Sequence, residues 1–319
     1  MSTRKHTLLK IAGVCIAAAA AIHIFNRYIE SRSQEKGILD RKKALVFHWK
    51  YGDIHYTCTG CGSPLLLLHE LSPQSSSSEW RRVIDGLSAH HTVYAVDLPG
   101  CGASGREESA YSNFLYVQFI TDFIRNVIGK PADIAATGLS AGMAVTACRY
   151  EAGLIRNIIL VNPASPSQLA EVPDRTSRLM KKICDLPLIG TLLYHAAVSR
   201  DRIAAEFRDD LFADPSAANA DDIDCRYESA HRDRSRGRFL YSAILGRFLN
   251  FNINRALTDA ENSIFIIGGE KQPGFDATAE EYRSLNPSVR SAVVAGTKHL
   301  PQLEKPEAFL EVLHKCLAA

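Results

Sequence analysis

Apolar and polar residues alternate in short blocks along this chain of 319 residues. Apolar runs bounded by turn residues predict buried strands, and the chain has such runs at residues 64–69, 92–97, 133–137, 156–161, 263–267 and 291–295. Patterns with helical spacing lie between several of them, near residues 79–89, 112–128 and 143–148. A hairpin is predicted over residues 45–57. Strands that alternate with helices predict an α/β fold, with a mostly parallel sheet and helices on both faces.

One long stretch interrupts this alternation. Residues 164–250 are charged and mostly helical in pattern, and they follow a predicted strand directly. A helical insertion at that point is expected to lie over the strand ends as a cap. Its apolar side chains either pack on the body of the domain or line an acyl or alkyl pocket, and the pattern assigns no substrate contact.

The N-terminus divides into three predicted segments before a single large domain at residues 45–319. Residues 1–6 are basic, residues 7–26 form an apolar membrane anchor or signal-anchor helix, and residues 27–44 form a basic linker. The apolar run continues past its alanine-rich part, which favours an uncleaved anchor over a cleaved signal peptide. A buried alanine-rich helix is the third alternative. Basic residues after the run outnumber those before it, which leans towards a cytoplasmic domain, and the side of the membrane stays open.

Composition excludes several functions. The chain has 37 basic and 35 acidic residues, so its net charge of +2 gives no broad field to attract nucleic acid. Eight cysteines without regular spacing predict no disulfide scaffold. Cys58 and Cys61 lack a second ligand pair, so a turn is preferred to a metal site. No cofactor is expected, because no glycine loop stands in a nucleotide-binding context. The oligomeric state is left open.

The strongest chemical motif is Gly-Leu-Ser-Ala-Gly at residues 138–142. It follows a predicted strand and precedes a predicted helix, which is the context of a nucleophile elbow. Glycines on both flanks leave room for a serine held in strained backbone. Ser140 is therefore the predicted nucleophile, and a serine hydroxyl needs a base to remove its proton.

These features together resemble the α/β-hydrolase fold family, in its esterase-like or thioesterase-like branch with a serine nucleophile. The resemblance covers roughly residues 45 to 316. It rests on five motifs in the family's order, which are His69-Glu70-Leu71, the turn at residues 97–104, the elbow, Gly269-Glu270-Lys271, and His299 with its tail at residues 300–309. The resemblance implies that His299 is the base and that His69 braces its loop. It also implies that the amides of Leu71 and Ala141 bind the oxyanion.

The position of the catalytic acid departs from the family. Where relatives commonly carry an aspartate after a late strand, this chain has Gln272. Three alternatives stay open: Glu270 or Asp276 reaches the histidine from a shifted loop, Gln272 orients it without a charge, or no efficient triad exists. Asn162, at the alternative acid position, is another uncharged amide.

The oxyanion loop departs as well, because Glu70 stands where relatives have glycine. Its carboxylate either lies near the developing negative charge, where it would repel, or turns to solvent or to a cation. The sequence leaves both orientations open.

The expected function is that of a membrane-anchored serine hydrolase, which cleaves an ester or thioester of a small or lipid-like acyl substrate through an acyl-enzyme on Ser140. Two alternatives remain. One is a binding protein with a weakened hydrolase site. The other is an enzyme of the same fold without ester hydrolysis; dehalogenases and epoxide hydrolases are disfavoured, because they usually carry aspartate at the nucleophile site.

Overall fold

The computed structural model describes residues 2–40, 44–106 and 111–317. Within these ranges the strands are β1 (Leu45–Trp49), β2 (Gly52–Thr59), β3 (Ser63–Leu68), β4 (His91–Val96), β5 (Ala132–Thr137), β6 (Ile155–Val161), β7 (Ile264–Gly269) and β8 (Arg290–Val294). They form one sheet in the order β1-β2-β4-β3-β5-β6-β7-β8. β2 pairs antiparallel with β1 and with β4, and the remaining pairs are parallel. The predicted α/β architecture is confirmed.

Helices outside the cap cover both faces of the sheet. They are α2 (Ile84–Ser88), α3 (Asn113–Phe123), α4 (Leu139–Tyr150), α11 (Asn254–Thr258), α12 (Phe275–Leu285), α13 (Pro301–Glu304) and α14 (Pro306–Leu317). The helix predicted at 79–89 is a 3₁₀ turn (Ser77–Trp80) followed by the short α2, and the one predicted at 112–128 ends in a π turn (Ile124–Ile128).

The two faces of β3 show how the core is divided. Leu65 to Leu68 are all 0% exposed, and successive side chains of a strand point to opposite faces. Leu66 and Leu68 join the cluster under α3 and α4, whereas Leu65 and Leu67 join the cluster with Trp80 and Phe309. The central strands are therefore buried on both sides, which explains why they are continuously apolar in sequence.

The insertion forms a helical cap. Its helices are α5 (Pro166–Leu169), α6 (Arg175–Asp185), α7 (Ile189–Ala197), α8 (Arg200–Glu206), α9 (Ala220–Ser235) and α10 (Gly237–Leu245). Ser165, Asp174 and Asn219 each close a capping box at the start of a cap helix.

The N-terminal segment is one helix, α1 (Ser2–Ser33). Leu9–Ser33 is long and apolar enough to cross a membrane, with a mean hydropathy of 1.7 and 6% of its most apolar window buried. A signal sequence near the N-terminus passes the same test. The helix continues beyond residue 26, where the linker was expected to begin, and it ends against the cap. Residues 41–43 of the expected linker lie outside the described residues.

The turn after β4 fixes the floor below the candidate site. The Asp97 carboxylate accepts bonds from the backbone N–H of Ser77 at 2.7 Å, from the Ser77 hydroxyl at 2.6 Å and from the N–H of Ala103 at 2.9 Å. A side chain at Gly102 would overlap this carboxylate. Asp97 therefore joins the oxyanion loop region to the turn that follows β4.

Replacing Asp97 tests this junction. Asp97→Asn is expected to lower the free energy of unfolding by about 2 kcal/mol. One carboxylate oxygen that accepts a hydrogen bond would be replaced by an amide nitrogen, which is itself a donor and cannot accept from the same group. Ser77→Ala removes only one donor to the same carboxylate and is expected to cost about 1 kcal/mol. Urea unfolding of the full chain in detergent measures both, and equal losses would contradict this account.

Candidate active site

The turn between β5 and α4 places glycine at its apex. Gly138 follows the last residue of β5 with φ 56° and ψ −119°, a conformation that L side chains rarely adopt. Ser140 is the second residue of α4, 2% exposed, and its hydroxyl donates to the carbonyl oxygen of Thr137 at 2.8 Å. The expectation that Ser140 occupies the strained apex is therefore wrong. Its role as a nucleophile stays a prediction.

The side chain of Glu70 lies directly over this apex. Its Oε1 accepts the backbone N–H of Leu139 at 2.9 Å, and its Oε2 lies 3.3 Å from His299 Nε2. A Cβ atom at Gly138 would overlap the Glu70 carboxylate. The carboxylate therefore occupies the space in which the side chain of an apex nucleophile would stand, next to the predicted base. Of the orientations left open by the sequence, Glu70 turns inward and pairs with the imidazole.

Two neighbours hold the Glu70 loop in place. The backbone N–H of Glu70 donates to Glu79 Oε2 at 2.9 Å, and the carbonyl oxygen of Glu70 lies 2.7 Å from His69 Nδ1. His69 Nε2 accepts the N–H of Leu98 at 3.0 Å, so the proton of this imidazole is on Nδ1 and is donated to Glu70. The predicted bracing role of His69 agrees with these bonds. Nothing in the sequence distinguished Glu79, which is the first residue of the helix predicted at 79–89 and follows a serine-rich stretch.

His299 is positioned by its backbone. Its N–H donates to the carbonyl oxygen of Leu211 in the cap at 2.9 Å, and its own carbonyl accepts from Asn162 Nδ2 at 2.8 Å. The carboxylate of Glu304 accepts the N–H of Lys298 at 2.9 Å and those of Ala213 and Asp214. The tail after His299 therefore ties the histidine loop to the cap.

None of the predicted orienting residues reaches the imidazole in the parts of the chain that the structure describes. Glu270 accepts the N–H of Gly296 and is exposed, and Asp276 is exposed in the first turn of α12. Gln272 lines the same cavity as His299, but its Oε1 is buried without a hydrogen-bond partner. Asn162 donates to the backbone oxygens of Lys298 and His299 and makes no hydrogen bond to the imidazole ring. The roles of these residues stay predictions.

The oxyanion donors are arranged differently from the expectation. The N–H of Ala141 bonds back to the carbonyl oxygen of Gly138 at 3.3 Å. Leu71 lines the cavity with 2% of its surface exposed. The amide that immediately follows the apex is that of Leu139, and it already binds Glu70. Counting one residue beyond the predicted end of β5, at residue 137, would have indicated Gly138 as the apex.

A cavity of about 690 Å³ lies between this site and the cap. Glu70, Gly138, Leu139 and His299 line its floor, and Tyr241 of α10 lines the cap side, whereas Ser140 is not among its described lining residues. Burial raises the pKa of the Tyr241 phenol, so it is a protonated hydroxyl at neutral pH. Arg226 also reaches this cavity, and its guanidinium pairs with buried Glu79 at 3.0 Å.

Comparison with known proteins identifies the family to which this architecture belongs. Residues 55–312 match the family model described as alpha/beta hydrolase family. The chain belongs to the alpha/beta hydrolase family. The structure also resembles that of a serine hydrolase involved in carbazole degradation, with TM-score 0.71, 16% identity, and coverage of 86% of this chain and 98% of that one.

Two curated relatives are hydrolases. The chain is 26% identical to 2-(acetamidomethylene)succinate hydrolase of Mesorhizobium japonicum, over 80% of this chain and 87% of that protein. It is 28% identical to 2-hydroxy-6-oxo-6-(2'-aminophenyl)hexa-2,4-dienoic acid hydrolase of Metapseudomonas resinovorans, over 35% of this chain and only 39% of that protein. Both relatives agree with membership of a hydrolase family.

The contact between Glu70 and Gly138 can be tested by a double-mutant cycle. Gly138→Ala is expected to cost about 2 kcal/mol or more of folding free energy, because it adds a Cβ at positive φ and against the carboxylate. Glu70→Gly should remove the second cost, so the double variant is expected to recover about 1 kcal/mol or more relative to additivity. Urea unfolding measures the cycle, and strict additivity would mean that the two residues do not touch.

Proposed function

We propose that this chain is a hydrolase that acts at an electrophilic saturated carbon, through a covalent ester on Glu70. The observation that supports the proposal is the placement of the Glu70 carboxylate over Gly138, between the amide of Leu139 and the imidazole of His299. In this arrangement the carboxylate is the nucleophile, the amide is the donor to its carbonyl oxygen, and the histidine is the base.

The same contacts disfavour acyl transfer at this site. The amide of Leu139 would be needed to bind the oxyanion of an acyl substrate, but it is already bonded to Glu70. Attack of a carboxylate on an acyl carbonyl would also form a reactive anhydride, whereas its attack on a saturated carbon forms a stable ester. Ester or thioester cleavage through Ser140 is the alternative, and the buried position of Ser140 gives it less support.

The reaction proceeds in two steps. In the first, Glu70 Oε2 attacks the carbon, the bond from carbon to the leaving group breaks, and the leaving group takes the electron pair and a proton from Tyr241, which then regains a proton from solvent. In the second, His299 removes a proton from water, and the hydroxide attacks Cδ of Glu70 while the Leu139 amide binds the negative oxygen. Collapse releases the alcohol, which takes its proton from His299, and the carboxyl group ionises again.

The environment of His299 sets the expected slow step. No carboxylate bonds to its Nδ1 among the described residues, and Glu70 is a neutral ester at this stage, so no carboxylate hydrogen-bonded to the ring offsets the charge that it acquires when it takes a proton from water. Replacing the aspartate of a serine-protease triad by an amide costs about four orders of magnitude in turnover. Hydrolysis of the ester is therefore expected to be slower than its formation, and the covalent enzyme should accumulate.

We also propose that α1 anchors the chain in a membrane as a single span. Its apolar stretch is almost entirely exposed, which a helix of a water-soluble domain would avoid. Attachment of the cap to the last turns of α1 holds the domain close to the bilayer.

Trapping the covalent intermediate tests the mechanism. Full-length protein in detergent is incubated with terminal epoxides, primary haloalkanes and p-nitrophenyl esters, and intact mass and peptide mapping locate adducts. An alkyl adduct is expected on Glu70, which Glu70→Gln should abolish with a loss of about 10³-fold or more in turnover. His299→Gln should form the adduct and keep it.

Ser140→Ala is the matched control, and it should retain turnover. Labelling of Ser140 by a fluorophosphonate, together with ester turnover that Ser140→Ala abolishes, would replace this proposal by the serine mechanism. Absence of any adduct and any turnover across the panel would instead favour a binding protein.

Isotopic water distinguishes covalent catalysis from direct attack of water. In a single turnover in H₂¹⁸O, the alcohol is expected to carry ¹⁶O, because its oxygen comes from Glu70, and the label should appear in the Glu70 carboxylate. Mass spectrometry of the product and of the Glu70 peptide measures both. Product labelled in the first turnover would show that water attacks the substrate directly.

A further inference from the structure

The cap has an exposed apolar surface that the proposed reaction does not use. We define the cap apolar face by five side chains of α6, α7 and the segment between them, each 45–55% exposed: Leu179, Met180, Leu186, Ile189 and Leu193. Residues four apart lie on one side of a helix, as do Ile189 and Leu193. α6 and α7 pack against each other, so these side chains lie on adjacent elements. Exposed apolar patches of this kind mark interaction surfaces.

This face is continuous with the candidate anchor. Asn26 Nδ2 in α1 donates to the carbonyl oxygen of Leu188 at 3.2 Å, and Leu188 lies between two residues of the cap apolar face. Asn26 is 4% exposed, whereas most side chains from residue 9 to residue 25 are exposed. His23 and Arg27 line a cavity together with Leu188 and Thr191. α1 therefore separates from the cap near residue 23.

The length of the apolar part of α1 places the cap relative to a bilayer. At 1.5 Å per residue, residues 9–25 span about 26 Å, and the hydrocarbon core of a bilayer is about 30 Å thick. The hydrocarbon core would therefore extend to the level of Asn26. Asn26 contacts Leu188, the residue just before the start of α7. The headgroup region then coincides with the cap apolar face.

The charge beside the face agrees with a surface of anionic lipid. Arg175, Arg178 and Lys182 of α6 are exposed, as is Arg27 of α1, although Arg27 also pairs with Glu30 at 3.1 Å. Apolar side chains bordered by basic residues are typical of helices that lie in the membrane interface and attract anionic headgroups. Asp174 caps α6, and Asp185 pairs with Lys181, so part of the local acidic charge is already engaged.

We propose that the cap apolar face inserts into the headgroup region of an anionic phospholipid bilayer, the one that α1 crosses. This inference rests on the anchor proposed above. It places α10, which packs against α6 and supplies Tyr241 to the cavity, one helix layer from the lipid. An amphiphilic substrate can then reach the cavity from the membrane surface.

Site-specific photo-crosslinking in vesicles tests the inference. The full chain is reconstituted into vesicles of phosphatidylglycerol and phosphatidylcholine, with p-benzoylphenylalanine at one position per variant. Position 193 probes the cap apolar face, position 14 probes the anchor, and position 293 on β8 is the matched control, since Val293 is 45% exposed, as is Leu193. Lipid adducts at position 193 are expected to exceed those at 293 about tenfold, because interfacial helices bury their apolar face about 5–10 Å deep.

The outcomes separate the two proposals. Lipid adducts at position 14 but not at position 193 would overturn the docking of the cap and leave the anchor intact. No lipid adduct at position 14 would overturn the anchor, and adducts at 193 alone would then show that the cap binds a bilayer that α1 does not cross, which overturns the inference in the form proposed here. Adducts from position 193 to a second protein chain would overturn docking in favour of a protein interface. Vesicles of phosphatidylcholine alone should give fewer adducts at 193 than anionic vesicles.

Discussion

The contact between the Glu70 carboxylate and the backbone turn at Gly138 is the constraint on which the candidate site depends. A carboxylate can lie there only because residue 138 has no side chain, and it stays there because the amide of Leu139 and the imidazole of His299 both bond to it. The glycine at the apex and the glutamate in the neighbouring loop therefore depend on each other. Glycine at the apex makes room for the glutamate that replaces glycine in the neighbouring loop.

Buried charge behind the site holds this arrangement. Glu79 is 2% exposed, and one of its oxygens binds the N–H of Glu70 while the other binds Arg226 of the cap. Removing one partner of a buried pair costs about 3–5 kcal/mol, so the connection resists rearrangement. It also links the position of Glu70 to that of α9, which carries Arg226. The site and the cap are therefore one mechanical unit.

The same cap helix binds the end of the N-terminal segment. Glu228 of α9 accepts the N–H groups of Ile38 and Leu39, and Asp224 pairs with Lys36. These contacts hold the chain just after the end of α1. They connect the end of α1 to the cavity wall, because α9 also carries Arg226, which lines the cavity. Such contacts fix the orientation of α1 relative to the domain, in contrast to the basic linker that the sequence indicated.

The sequence by itself determined the order of strands and helices, the place of the cap and the position of His299. These depend on hydrophobic period and on turn residues, which act locally and are visible in any short window. It also identified Glu70 and Gln272 as departures. Only the tertiary structure decided that Gly138, and not Ser140, stands at the apex, because the motif reads the same for either residue, whereas the backbone after β5 turns at Gly138 and puts Ser140 at the second position of α4. It likewise decided that Glu70 points inward, because that orientation depends on the amide of Leu139, on His299 and on Glu79, which are distant in sequence and meet only when the sheet is assembled.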